Sequence, residues 1–309
     1  MKRKMAGILN GTVGAVCYGT NPVFALHMYS KGFDANSVLF YRYITAVVLF
    51  GLWANFVKKV PLKLHRNEIL PMFFASLMFA LSSVFLFMSY SYIDGGIASV
   101  ILFIYPVFVA LIMAIAFGEK LQKSALFAVE LVLVGIFLFY KGKDGQDLNL
   151  TGLTYVILSA LAYAIYMVGI KKNSVLKKLN TVKLTFYVMF FGLSVFVYNL
   201  KFLTLLKPIS EPILWIDVLM LAILPTIVAI DTLNKAIKLI GPTLAAIVSS
   251  LEPVSAMILC VIFFHEQLTF KIILGMIAIL LGVLIIVVHK DKNALEKNRL
   301  SDENSTCQG

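Results

Sequence analysis

Apolar runs of about 20 residues, separated by short polar links, dominate the pattern along this 309-residue chain. Ten such runs are legible: 6–28, 36–56, 69–90, 96–117, 124–140, 151–170, 182–200, 213–233, 242–264 and 270–288. Each has roughly the length that carries a helix across the hydrocarbon core of a bilayer. The links are too short to hold a soluble domain. The pattern predicts an all-α integral membrane protein with ten transmembrane helices. The N-terminal run continues past Pro22 without a small-residue cleavage signal, so it reads as the first span.

The pattern also repeats. "LFIYPVFVALIMAIAFGEKL" (102–121) aligns with "SSLEPVSAMILCVIFFHEQL" (249–268), pairing Pro106 with Pro253 and Glu119 with Glu266. The offset of 147 carries on into the next run, where Gly135 pairs with Gly282. Near the start of each half, "AVCYG" (15–19) pairs with "ALAYA" (160–164). The chain is a duplication with five spans per copy. An odd number inverts the second copy relative to the first, the arrangement of many secondary transporters. The expected units are 1–143, 144–289 and a polar tail, 290–309, whose composition suits disorder.

Charge sets the orientation. Of 27 Lys and Arg residues, 20 fall in segments sharing a side with the N-terminus and 6 on the other side, with Arg42 inside a span. That bias puts both termini in the cytoplasm of a plasma (inner) membrane protein. Composition agrees: 60% of residues are hydrophobic and 14% charged, well outside the usual soluble range. The net charge of +11 lies in the loops, so it marks topology and gives no reason to expect nucleic acid. Cys17, Cys260 and Cys307 have no metal-ligand spacing, and no H-E-x-x-H, phosphate-loop or serine-elbow motif occurs. Neither a catalytic set, a metal nor a cofactor is expected.

At these residues the chain resembles the ten-span, EamA-type members of the drug/metabolite transporter superfamily. The resemblance rests on P-V followed by [G/H]-E-x-L in each half, a glycine midway along the next helix, the doubled five-span unit, and "FYRYITAVVLF" in the second span. It covers about residues 6–288. It implies a secondary transporter of small metabolites or amino acids, often an exporter, with a cavity lined by spans one to four and six to nine. A nucleotide-sugar or sugar-phosphate exchanger and a passive channel are the alternatives. The former should carry several intramembrane cations, and only Arg42 is present.

Glu252 lies near the middle of its span beside Pro253. A carboxylate there costs several kcal/mol unless it meets water or a partner. Ala245, Ser249, Glu252 and Ala256 share one helix face, small and polar enough for a cavity wall. Tyr105 takes the matching place in the first copy. Glu252 is a candidate for substrate contact and for a coupling proton; a hydrogen-bonded structural role is the alternative. Arg42 can fork onto a carboxylate or phosphate, snorkel to the interface or pair with an acid. Tyr18 and Asn21, then Tyr163 and Tyr166, lie three apart on the first span of each copy and are cavity candidates. Glu119 and Glu266 are expected to cap the helix that follows each. Glu130 is expected away from the substrate path, and Asp217 and Asp231 near the interfaces. The expected partners are a small-molecule substrate and the lipid bilayer; the sequence is compatible with a homodimer.

Overall fold

The structure, a computed structural model, describes residues 2–118, 123–140 and 148–285. Glu119 and the tail 290–309 lie outside them. Among the described residues the chain is helical, with no strand. The first half contains α1 (Lys2–Gly19), α2 (Asn21–Ser30), α3 (Ala35–Leu52), α4 (Arg66–Ser89), α5 (Gly95–Leu102), α6 (Tyr105–Phe117) and α7 (Lys123–Tyr140). The second contains α8 (Leu150–Lys172), α9 (Thr181–Asn199), α10 (Leu214–Ala222), α11 (Ala229–Ser249), α12 (Leu251–Phe264) and α13 (Phe270–Ile285). Among the described residues seven helices are long and apolar enough to cross a bilayer, and shorter apolar helices lie in the fifth and tenth predicted spans, with α1 and α2 in the first.

Prolines account for most of the breaks. Pro22 stands in the first turn of α2, Pro106 in that of α6, and Pro253 in that of α12. Proline lacks an N–H, so the carbonyls of Tyr18, Leu102 and Ser249, four residues back, lose their helical donors. Pro225 sits in a π-helical stretch, Ile223–Val228, that joins α10 to α11. Polar side chains fix the starts: Asp34 accepts from the N–H groups of Asn36 (3.0 Å) and Ser37 (3.2 Å), and Asn180 from that of Val182 (2.8 Å).

The eighth and ninth spans read as one uninterrupted helical run, yet the chain reverses within it. Where a Cβ on Gly11 would stand, Val248 is 3.0 Å and Ala236 3.5 Å away. Twelve residues on a straight helix span about 18 Å. Both can touch Gly11 only if the axis turns back between them. Gly7 and Gly14 lie on the same seam: a Cβ on either would come within 3 Å of Ile240 or Leu233. Small residues permit this close helix approach.

The two halves are related by an internal two-fold. α1 runs along α11 as α8 runs along α4; α1 touches α12 as α8 touches α6; α10 lies on α3 as α4 lies on α9. Exchanging the halves turns each contact into its counterpart. With five spans per half the axis lies in the membrane plane, and the repeats are inverted. α7 and α13 cross where Gly135 meets Gly275; an added Cβ on either would stand 2.7–2.8 Å from the other's carbonyl. Gly282, the sequence equivalent of Gly135, is buried elsewhere on α13.

The [G/H]-E position has a backbone explanation. Gly118 ends α6 with φ 66° and His265 ends α12 with φ 55°, both left-handed, at matching places in the repeat. Glycine adopts this conformation freely, whereas another L-residue loses about 1–2 kcal/mol. His265 is exposed and packs little. His265→Gly is therefore expected to stabilise the protein by about 1 kcal/mol, read as a higher melting temperature in detergent. An unchanged or lower value would show that the histidine side chain contributes what the backbone loses.

Candidate functional site

The broken helices meet at the centre of the bundle. Gly19 ends α1 against the backbone of α12: a Cβ there would be 2.9 Å from both the Glu252 carbonyl and the Ala256 nitrogen. That approach brings Tyr18 beside Glu252. The Glu252 carboxylate is partly accessible and makes no ion pair or hydrogen bond among the described residues. It interacts through space with the hydroxyls of Tyr18, Tyr90, Tyr105 and Tyr163.

Arg42 faces the same space from α3. It is 6% exposed and has no carboxylate partner among the described residues. Its guanidinium carbon stands 5.6 Å from the centre of the Phe87 ring, a cation–π contact. Tyr18 and Tyr90 both lie within electrostatic reach of Arg42 and of Glu252. The acid and the base are held apart rather than neutralising one another.

Aromatic rings close one wall. Tyr105 meets Tyr163 edge-on at 4.7 Å, Tyr163 stacks on Tyr166 at 5.7 Å, and Phe79 lies 5.0 Å from Tyr166. Tyr43 continues the wall and shares a 2.9 Å hydrogen bond with Ser83. Four buried side-chain atoms among the described residues lack a hydrogen-bond partner: Asn21 Oδ1, Arg42 Nε, Tyr90 Oη and Thr226 Oγ1. Arg42 and Tyr90 border the Tyr18–Glu252 space, and Asn21 follows within three residues of Tyr18. Buried polar atoms are normally paired, and an orphan costs about 1–3 kcal/mol. Water or a polar ligand in this space would satisfy Arg42 and Tyr90.

Tyr18, Tyr105, Tyr163, Tyr166, Arg42 and Glu252 are therefore brought together. Ser249 is less available, since its hydroxyl donates to the Ala245 carbonyl at 2.9 Å. Tyr43, Tyr90, Phe79 and Gly19 also shape the site, and nothing in their local sequence marks them. Glu130 is exposed on α7. Asp217 does not simply reach an interface: it is buried and pairs with His27 at 2.8 Å. Asp231 pairs with Lys58 at 2.6 Å and Lys235 at 2.7 Å.

Clamps join the halves at both ends of the bundle. At the end holding the start of α1, Lys58 reaches Asp231 and Lys183 reaches the buried Glu68 at 2.7 Å. At the opposite end stand His27–Asp217 and Lys31–Glu211, the latter at 3.0 Å. Glu266 is there too. Its spacing suggested a cap on the following helix; its carboxylate instead accepts from the N–H groups of Gly95 (2.8 Å) and Gly96 (3.1 Å), at the start of α5 in the other half. A cap at a helix N-terminus suits a carboxylate wherever that helix comes from.

Known proteins show the same organisation. A solved crystal structure superposes on 93% of this chain and 98% of its own with a TM-score of 0.62 at 17% identity, which establishes likeness of fold. An uncharacterized transporter of Bacillus subtilis (strain 168), YcbK, is 23% identical over 89% of this chain and 90% of its own. An uncharacterized transporter of Archaeoglobus fulgidus is 25% identical over 92% of this chain and 99% of its own. The EamA-like transporter family matches twice, over residues 5–141 and 150–288, once for each five-helix repeat. With both halves matched, the chain belongs to the EamA-like transporter family and is a multi-pass membrane transporter.

Proposed function

We propose that the chain is a secondary active exporter of small zwitterionic metabolites, amino acids among them, working by alternating access. The observation that carries this reading is a partly accessible Glu252 and a buried Arg42, both within electrostatic reach of Tyr18 and neither neutralised among the described residues. A carboxylate fits the guanidinium fork, an ammonium fits Glu252, and the tyrosine wall suits an apolar or aromatic side chain. The halves 1–143 and 144–289 are the moving units. The clamps at the two ends break in turn as the cavity opens to either side. The bias of 20 cationic residues to 6 supports an inner-membrane protein with both termini in the cytoplasm. A sugar-phosphate exchanger would want more cations beside Arg42.

Glu252 is the proposed proton carrier. In proteoliposomes with an imposed proton gradient, the wild type should move a bound amino acid against its concentration gradient. Glu252→Gln should lose that dependence on the proton gradient and retain at most downhill exchange. Equal rates and pH profiles for both proteins would remove the coupling role. Flux that only ever runs downhill in the wild type would favour a channel.

A further inference from the structure

A second, separate pocket opens on the flank of the bundle, between α4, α6 and α8, with a volume of about 430 Å³. Leu70, Phe74 and Met78 supply one wall, Ile165 and Gly169 the other, and Phe117 closes it from α6. Among the described residues no acid lines it. Gly169 points into open space: an added Cβ would meet nothing within 4 Å. The eight steps from Leu70 to Met78 rise about 12 Å, most of one leaflet's share of a ~30 Å hydrocarbon core.

The mouth of this crevice is basic. Arg66 precedes Leu70 by one turn on the same face of α4 and is exposed. Lys171 and Lys172 end α8, and Lys177 and Lys178 follow in the short helix Leu176–Lys178, all four exposed. Lys172 Nζ stands 4.5 Å over the Phe117 ring, across the opening. The nearby acid on α4, Glu68, is occupied by Lys183. An apolar slot of one-leaflet depth under a cationic rim matches an acyl chain beneath an anionic headgroup.

We propose that this crevice is a binding site for an anionic phospholipid of the leaflet facing the start of α1, with one acyl chain in the slot and its phosphate between Arg66 and Lys171. Tyr166 lines the inner end of the crevice and stacks on Tyr163 of the central cavity. The lipid therefore buttresses the wall of the transport site without entering it.

The test uses the full chain purified in mild detergent, titrated with phosphatidylglycerol, phosphatidylcholine or glycerol 3-phosphate. Phosphatidylglycerol should raise the melting temperature by about 2–4 °C more than phosphatidylcholine, and glycerol 3-phosphate should leave it unchanged. Gly169→Phe, whose Cβ would meet open space and whose ring would occupy the slot, should keep its lipid-free melting temperature and lose the phosphatidylglycerol increment. Arg66→Gln with Lys171→Gln should reduce that increment to the phosphatidylcholine value. Equal shifts for the two lipids, a full increment in Gly169→Phe, or a shift from glycerol 3-phosphate alone would overturn the site. If Gly169→Phe fails to fold, native mass spectrometry decides. A phosphatidylglycerol retained by the wild type and lost from the doubly substituted variant supports the site, and equal retention refutes it.

Discussion

Arg42→Gln is expected to lower transport by about 100-fold per folded molecule while leaving insertion and stability nearly intact. Charge-assisted, forked hydrogen bonds to a carboxylate contribute roughly 2–3 kcal/mol, and 2.7 kcal/mol corresponds to about two powers of ten. Stability should survive because Arg42 has no acid partner among the described residues. Its removal strands no buried carboxylate, and the desolvation cost of an unpaired cation disappears with it. Arg42→Lys keeps the charge, loses the fork, and should fall between the two. The measurements are substrate-induced thermal shift and proteoliposome flux, each normalised to folded protein. If glutamine weakens the fold and leaves flux per folded molecule unchanged, Arg42 serves packing over Phe87 and not substrate.

Much of the architecture is written locally. Among the described residues each of the ten apolar runs is occupied by helix, because backbone groups in the bilayer must pair within their own segment. The duplication locates the breaks: Pro106 and Pro253 sit at matching places, and the helices restart there. Gly118 and His265 show the same logic, since a left-handed stop is needed at both ends and the sequence changes while the backbone does not. Within the site, Arg42, Glu252 and the tyrosines of α1, α6 and α8 stood out because polar groups in a span are costly and few. Tyr90 and Phe79 did not, for they read as ordinary span residues until α4 is placed beside α3 and α8. Gly19 matters only because α12 crosses it. Glu266 finds its partners 170 and 171 residues away, and no spacing rule reaches across the two halves. What stayed illegible is which helix faces which, a property of tertiary packing that periodicity does not carry.

Glu266 gives the second large effect, on stability against pH. It lies past the end of α12, 9% exposed. Burial first, and then the nearby Asp94, push its carboxyl up to about 7, against the downward pull of the Gly96 and Gly95 N–H groups and of Cys260. Folding thus favours the protonated form relative to an unfolded value near 4.5. Between those two values the native state holds more protons than the unfolded one, so stability falls as pH rises and levels off above about 7. The full difference is on the order of 3 kcal/mol. Glu266→Gln cannot ionise, and its amide oxygen can still accept from one α5 N–H. Its melting temperature should change little between pH 5 and pH 8, whereas that of the wild type should drop across the same interval. Asp94→Asn removes part of the upward push and should move the wild-type drop to lower pH. Parallel curves for wild type and Glu266→Gln would mean that the two N–H donors outweigh burial and hold the cap ionised throughout. The join between α5 and the end of α12 would then be insensitive to pH.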